Sequence, residues 1–206
     1  IDDFDMKVTD KIRRDDHLTN SFRQKIIFDF LNYKPKFSHM SLIHNQQNQK
    51  LSKRDKATSI LEYKQKGYLP EALINYLIRL GWSHGDEEIF TIKDMKKKFQ
   101  IYNLGKSPAK FDENKLNFLN NFYIKKAENL DILNNYEKIS NKKYQNIFFK
   151  QKEILELISL YKDRSLSLNE IFLNINELSE IKENFSEEEK ENIKNFESYK
   201  DSLVIK

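Results

Sequence analysis

The chain has 206 residues, no cysteine and a formal net charge of +4, with 38% hydrophobic and 33% charged residues. The absence of cysteine excludes disulfides and thiolate metal sites, and no apolar run reaches the roughly 20 residues that a membrane-spanning helix needs. We therefore expect a soluble, cytoplasmic protein that does not bind membranes. The first residue is Ile1 rather than methionine, and no signal-peptide pattern follows it, so we expect a piece of a longer protein.

The positive charge is concentrated in the first half. Residues 1–110 contain 21 Lys and Arg against 14 Asp and Glu, whereas residues 111–206 contain 15 against 18. An anionic partner would therefore prefer the first half, although this asymmetry is too common to identify a nucleic-acid-binding protein by itself. The four histidines lack metal-ligand spacing, so no protein-bound zinc or other metal is expected.

Strand candidates occur only near the start, at residues 1–4, 11–13 and 40–43. Between them, residues 21–32 have the apolar spacing of a helix. We predict that the apolar residues of this helix are core residues, namely Phe22, Ile26, Ile27, Phe30 and Leu31. This part of the chain reads as the tail of an α/β domain.

The rest of the chain is predicted to be mainly helical. Pro70 suits the first position of a helix that continues to residue 80 and ends at Gly81. Thr91, Ser167 and Ser186 are predicted N-caps, because a carboxylate follows each of them three residues later. Apolar spacing predicts further helices over residues 112–127 and 142–162, and residues 104–108 are a candidate hinge. The fold class is therefore mainly α with a small α/β part.

A basic loop, Lys50-Leu51-Ser52-Lys53-Arg54, separates the polar segment 45–49 from a helix-like pattern that begins near residue 57. Two ammonium groups and a hydroxyl beside a helix start can stabilise the phosphates of a nucleoside triphosphate. Isolated basic pentapeptides are more often solvated surface, so the flanking residues decide the interpretation.

Four segments in order resemble bacterial glutamyl-tRNA synthetases: 39–43 (HMSLI), 50–54 (KLSKR), 67–73 (GYLPEAL) and 81–86 (GWSHGD). The second matches that family's KMSKS motif, and the resemblance also includes 8–20 (VTDKIRRDDHLTN) and 107–112 (SPAKFD). The resemblance implies the C-terminal end of a Rossmann-like catalytic domain over residues 1–45. A KMSKS loop with a stem-contact fold would follow over 46–110, and the first part of an α-helical anticodon-binding domain over 111–206.

In this family, glutamate is attached to tRNA(Glu) through a glutamyl-adenylate, with ATP and its Mg²⁺ as substrate. The resemblance therefore implies L-glutamate, ATP and tRNA(Glu) as partners of a monomeric glutamate-tRNA ligase. The family's HIGH motif lies upstream of the matching region and is not in this sequence, so we expect the chain alone to be inactive.

The resemblance also assigns site residues. Lys50 and Lys53 would stabilise the pyrophosphate leaving group, with Leu51, Ser52 and Arg54 completing the ATP-binding loop. Asp16 and His17 would lie beside the adenosine, and Arg13 would bind the substrate glutamate. The tRNA contacts would come from Lys106, Ser107 and Lys110. Arg14 departs from the family pattern of glycine or alanine, and its long side chain would crowd Arg13.

Alternatives remain for several of these residues. Arg13 could be a surface arginine paired with Asp10 or Asp15, and His17 could be a charge-paired surface histidine. Adjacent residues rarely converge into a triad, so a catalytic role for the Ser, His and Asp of residues 83–86 is disfavoured. The aromatic and basic residues of 142–150 could stack on nucleotides, but their helical spacing favours a core role for the aromatics.

Three other functions remain open. The chain could be a noncatalytic tRNA-binding module, or a truncated gene product that keeps only tRNA contacts. It could also belong to a nondiscriminating relative that charges both tRNAs, whereas the helical rather than β-rich C-terminal half argues against a glutaminyl enzyme. A paralogue that attaches glutamate to a modified base is less favoured, because that group ends soon after the KMSKS loop.

Overall fold

The computed structural model describes residues 1–51, 59–146 and 148–183, which form a mainly helical structure with small parallel sheets. Ser52, Lys53 and Arg54 of the basic loop and the helix start predicted at Ser186 lie outside these residues. The elements are α1 (Asp2–Asp5), β1 (Asp10–Arg14), a 3-10 turn (Asp15–His17), α2 (Leu18–Phe30), β2 (Lys36–Met40), β3 (Ile43–His44), α3 (Ile60–Gln65), α4 (Pro70–Arg79), α5 (Ile92–Lys98), a 3-10 turn (Ile101–Asn103), β4 (Ala109–Lys110), α6 (Glu113–Lys126), α7 (Asn129–Ser140), α8 (Gln151–Tyr161) and α9 (Leu168–Glu183).

The first part of the chain is a β-α-β unit. Strands β1 and β2 pair in parallel, with Lys11 opposite Phe37 and Arg13 opposite His39. Helix α2 connects them and buries Phe28, which is 4% exposed. The prediction of a strand at residues 11–13 and a helix after it is therefore confirmed.

Two expectations for this region were wrong. Residues 1–4 were expected to form a strand, but Asp2–Asp5 form helix α1, whose acidic first turn complements the positive end of a helix. Most apolar residues of α2 were expected in the core, yet the exposed fractions are 64% for Phe22, 73% for Ile26 and 90% for Phe30. Ile27 is also exposed.

The four-residue spacing of Phe22, Ile26 and Phe30 places them on one face of α2. Phe28, which contacts the sheet, lies on a different face. The sequence pattern identified an apolar face correctly, but it could not tell which face the described part of the chain covers.

The helices from α3 onward pack around three hydrophobic clusters, the largest of which also includes Leu69 of the loop before α4. Pro70 is the first residue of α4, as predicted, and Gly81 directly follows the C-cap Leu80, within one residue of the predicted end. Thr91 and Asp94 form the predicted capping box of α5, and α6 begins directly after its N-cap Asp112. The largest buried cluster contains Leu69, Ala72, Ile124, Ile132, Leu133, Ile154, Ile158, Leu168, Ile171, Phe172 and Ile175.

The helix predicted over residues 142–162 begins only at Gln151. In the segment before Gln151, side-chain oxygens accept hydrogen bonds from backbone N–H groups. Glu137 accepts from the N–H of Tyr144 at 3.0 Å, and Asn146 accepts from those of Phe148 and Phe149 at 2.9 and 3.2 Å. Such bonds compete with helical hydrogen bonds, which explains the late start. Tyr144 and Phe149 pack against the large core cluster, in agreement with a core role.

Candidate functional site

The polar segment before the basic loop is a tight hairpin. The side-chain oxygen of Asn45 accepts hydrogen bonds from the backbone N–H groups of Gln47 and Gln49, at 3.1 and 2.9 Å. Asn48 has a φ of 60°, a left-handed conformation that asparagine tolerates well. An antiparallel bridge between His44 and Lys50 closes the hairpin. The geometry therefore fixes the first lysine of the basic loop.

Lys50 reaches back to the turn that follows β1. Its Nζ donates to Asp16 Oδ2 at 2.7 Å, and Nη2 of Arg14 donates to the same oxygen at 3.1 Å. His17 Nε2 lies 3.7 Å from the other oxygen, Oδ1. The hydrogen bond from Lys50 is the main reason that the pKa of Asp16 lies below its usual value, and the charge of Arg14 adds to this effect. The basic loop and the end of β1 thus meet at one carboxylate.

Arg14 does not crowd Arg13, contrary to expectation. Neighbouring residues of a strand point to opposite faces of the sheet, and Arg14 turns to Asp16.

Arg13 points toward α2, where its Nη1 donates to Ser21 Oγ at 3.4 Å and its Cζ lies 5.8 Å from the Phe37 ring centre. Within the described residues, the half-buried guanidinium forms no ion pair with Asp10, Asp15 or any other carboxylate. Its remaining N–H groups can therefore take a bidentate carboxylate ligand.

A second small sheet connects the hairpin with the predicted hinge region. His44 pairs with Lys110 of β4 on one side and with Lys50 on the other. The N–H of Phe111 donates to the His44 carbonyl at 2.8 Å, and Gln46 Nε2 donates to the Phe111 carbonyl at 2.6 Å. Lys110 and the start of the basic loop therefore belong to one hydrogen-bonded unit.

The structure thus brings together three of the predicted site residues, because Lys50 and His17 both approach the Asp16 carboxylate. Arg13 precedes Asp16 by three residues and points toward α2. Leu51 donates its N–H to the Ile43 carbonyl at 2.9 Å, which extends the hairpin. Lys106, Ser107 and Lys110 are exposed.

Sequence reasoning missed Ser21 and His39, which contact each other beside Arg13. His39 lies in a segment that carries the resemblance, but its residue type alone indicates no contact. Ser21 has no motif, and only its position four residues after His17 places it near the turn.

The GWSHGD segment has a structural role. Trp82 is 2% exposed and packs against Phe90 with ring centres 5.3 Å apart, while His84 stacks on Trp82 at 5.9 Å. Gly81 leaves room for Met40, because a Cβ at Gly81 would lie only 2.5 Å from the Met40 methyl group. These contacts join the end of β2 to the end of α4.

Within residues 1–51, 59–146 and 148–183, no group of three His, Asp or Glu side chains is arranged to hold a metal ion. Within the same residues, no helix is long and apolar enough to cross a membrane.

Comparison with known proteins identifies the family to which the chain belongs. Residues 1–118 match the family model described as tRNA synthetases class I (E and Q), catalytic domain. The glutamate–tRNA ligase of Wigglesworthia glossinidia brevipalpis is 46% identical over 177 residues, which cover 85% of this chain and 37% of the relative. Glutamate–tRNA ligase 1 of Campylobacter hominis is 44% identical over 86% of this chain and 38% of its own length.

Among solved structures, the crystal structure of a glutamate tRNA ligase from Elizabethkingia meningosepticum in complex with its amino acid superposes with a TM-score of 0.71 and 29% identity. The match covers 85% of this chain and 38% of that one. The chain therefore spans less than two fifths of the length of these relatives. The match of the family model to more than half of the chain shows that the chain belongs to the class I tRNA synthetases of the glutamate and glutamine group.

Proposed function

We propose that this chain is part of a glutamyl-tRNA synthetase, which activates glutamate with ATP and transfers it to tRNA(Glu). The observation that carries the proposal is the pairing of Lys50 with Asp16 at the end of β1, the strand that also carries Arg13, whose guanidinium has no carboxylate partner within the described residues. This geometry provides a cation for phosphate and a second cation for a carboxylate. A carboxylate and a phosphate are the two groups that react when a glutamyl-adenylate forms.

In this proposal Arg13 binds the carboxylate of glutamate, while Asp16 and His17 lie beside the adenosine. Lys50 leaves Asp16 when the phosphates of ATP, with their Mg²⁺, offer a more strongly negative partner. Lys53, with Leu51, Ser52 and Arg54 of the same loop, would add a second ammonium group to the leaving pyrophosphate. Charge grows on that group in the transition state, so both lysines would lower the barrier.

The domain boundaries are part of the proposal. Residues 1–45 would be the end of the catalytic domain, 46–110 the KMSKS loop with the stem-contact fold, and 111–206 the start of the anticodon-binding domain. The exposed apolar face of α2, formed by Phe22, Ile26 and Phe30, supports the first assignment, because a face of this kind normally packs against other polypeptide. We propose that further parts of the catalytic domain cover it.

Contact with tRNA would use the exposed side chains of Lys106, Ser107 and Lys110. The excess of positive charge in residues 1–110 supports an anionic partner for this half of the chain. A noncatalytic tRNA-binding module would keep these contacts without the activation chemistry. The matching family includes glutamine enzymes, so charging of a glutamine tRNA is a second candidate.

The test is amino-acid-dependent exchange of pyrophosphate into ATP, with tRNA(Glu) present, by a complete synthetase that carries this segment; glutamate, glutamine and aspartate are tested separately. Exchange with glutamate alone supports the proposal. No exchange with any amino acid, despite selective and salt-sensitive tRNA binding, would favour the noncatalytic module. Equal charging of glutamate and glutamine tRNAs would identify a nondiscriminating enzyme.

A further inference from the structure

The hydroxyl of Ser21 connects three groups around the candidate glutamate site. Ser21 is only 5% exposed, and its Oγ donates to the His17 carbonyl at 3.2 Å. The same oxygen lies 3.0 Å from His39 Nε2 and 3.4 Å from Arg13 Nη1. The hydroxyl therefore joins α2, β1 and β2 at one point.

The donors and acceptors of this contact can be assigned. A serine hydroxyl has one proton to donate and two lone pairs that accept. When its proton points to the His17 carbonyl, its oxygen accepts from Arg13 and from His39, and the imidazole then carries its proton on Nε2. These three contacts use the full hydrogen-bonding capacity of Ser21.

The strand register explains why the three side chains converge. Arg13 and His39 are direct partners in the parallel pair of β1 and β2, so their side chains emerge on the same face of the sheet. Helix α2 covers that face and presents Ser21 to both. The interaction orients one Nη of Arg13 and leaves its other N–H groups without a partner in residues 1–51 or the other described parts of the chain.

We propose that Ser21 and His39 are positioning residues that hold the Arg13 guanidinium ready for the carboxylate of glutamate. The proposal rests on the proposed function, in which Arg13 binds that carboxylate. Neither Ser21 nor His39 touches the substrate. His39 donates to the Ser21 hydroxyl oxygen and thereby orients it. Ser21 in turn accepts from the Arg13 N–H that faces α2 and so orients the guanidinium. Without this support the guanidinium must be ordered when glutamate binds, and affinity for glutamate falls.

The experiment measures pyrophosphate exchange in a complete synthetase that carries this segment. Ser21→Ala and His39→Phe should each raise the KM for glutamate about tenfold, because each weakens a hydrogen bond to a charged group directly or through one neighbour. The KM for ATP and kcat should stay within about twofold of the parent. Ser21→Thr keeps the hydroxyl and His39→Gln keeps an N–H donor, so both should retain near-parental values. Thr19→Ala removes an exposed hydroxyl from the same helix and is the matched control.

Arg13→Gln separates this proposal from the proposed function. If Arg13→Gln leaves the KM for glutamate unchanged, the role of Arg13 in the proposed function is wrong. If Arg13→Gln raises this KM but Ser21→Ala and His39→Phe do not, the positioning roles are overturned.

Nitrogen NMR of the 206-residue chain provides a readout without catalysis. The His39 ring should carry its proton on Nε2, and Ser21→Ala should change the populations of the two tautomers and shift the Arg13 side-chain signals. Unchanged signals in that variant would contradict the proposal even if its activity were lost.

Discussion

Lys50 Nζ lies 2.7 Å from Asp16 Oδ2, although the two residues are 34 positions apart in the chain. The Lys50 side chain is 49% exposed and that of Asp16 is 28% exposed, so water screens the pair and its contribution to stability is small. Its importance is positional, because it holds the start of the basic loop against the end of β1. The pair keeps an ammonium group next to the turn that carries His17.

The first prediction concerns the charge of Asp16. Because its pKa is lowered in the folded chain, the carboxylate favours folding above its ordinary pKa of 3.8, and this contribution is lost as the pH falls through the lower folded value. In Lys50→Met the main cause of the shift is gone, so the pKa of Asp16 should rise toward 3.8. Carbon NMR of the carboxyl group during an acid titration measures this change.

Asp94 is the control for that titration, since its pKa is lowered mainly by the Thr91 hydroxyl within its own capping box. Its titration should be the same in the parent and in Lys50→Met. An unchanged Asp16 pKa in the variant would mean that Lys50 does not pair with Asp16 in solution.

The second prediction separates activation from tRNA binding. In a complete synthetase that carries this segment, Lys53→Ala should lower the rate of pyrophosphate exchange about 100-fold, the effect of removing one preorganised charge from a transition state. The Kd for tRNA should change by less than about threefold, because one phosphate contact at most is lost. Lys64→Ala, an exposed lysine of α3, is the control. Equal loss of both activities in Lys53→Ala would contradict the role proposed for Lys53.

A third prediction compares two glycines with positive φ. Gly67 has a φ of 86°, and an added Cβ would lie 2.7 Å from the backbone nitrogen of Asn169 and 2.9 Å from that of Leu168. Gly85 has a φ of 56°, but nothing lies within 4 Å of an added Cβ. Gly67 must therefore remain small, because the start of α9 packs directly on it and the Leu168 N–H donates to its carbonyl at 3.0 Å.

Gly85→Ala should cost about 1 kcal/mol for the left-handed backbone alone. Gly67→Ala should lower the free energy of unfolding by roughly 3 kcal/mol or more, because the clash with rigid backbone is added to the same conformational cost. Urea denaturation of both variants measures the difference. Equal losses would show that α9 does not approach Gly67 as closely as described.

A feature could be predicted from the sequence when the residues that determine it are close together in the chain. The start of α4 at Pro70 and the capping box of Thr91 and Asp94 follow from residues at most three positions apart, and both were predicted correctly. The strand at residues 11–13 was found for the same reason. The late start of α8 was missed, because the amide of Asn146 competes for backbone N–H groups in a way that apolar spacing does not reveal.

The roles of the candidate site residues were assigned only through the resemblance to a family, and they stay predictions. The residue pattern indicated a phosphate-binding lysine at Lys50, but nothing local to Lys50 identifies Asp16 as its partner. The contact of Ser21 with His39 depends on strand register and on the packing of α2, which no short motif encodes. The apolar face of α2 was wrongly predicted to be core, because helical apolar spacing indicates that a face is buried but does not identify the part of the protein that packs against it.

The last prediction concerns Asn75, which anchors the loop after the GWSHGD segment to α4. Asn75 is fully buried, its Nδ2 donates to the Glu88 carbonyl at 2.8 Å, and its Oδ1 accepts from the Phe90 N–H at 2.7 Å. The Tyr123 hydroxyl lies 2.8 Å from the same Oδ1 and 2.8 Å from the Phe90 carbonyl. One amide thus binds two backbone groups of this loop, the carbonyl of Glu88 and the N–H of Phe90.

Asn75→Ala should lower the free energy of unfolding by about 3 kcal/mol, because it leaves the Phe90 N–H without its partner and opens a small cavity. The matched control is Asn114→Ala, an exposed asparagine in the first turn of α6, which should change stability by less than about 0.5 kcal/mol. Chemical denaturation measures both values. A loss below about 1 kcal/mol in Asn75→Ala would mean that water replaces the amide and that the loop is not held from α4.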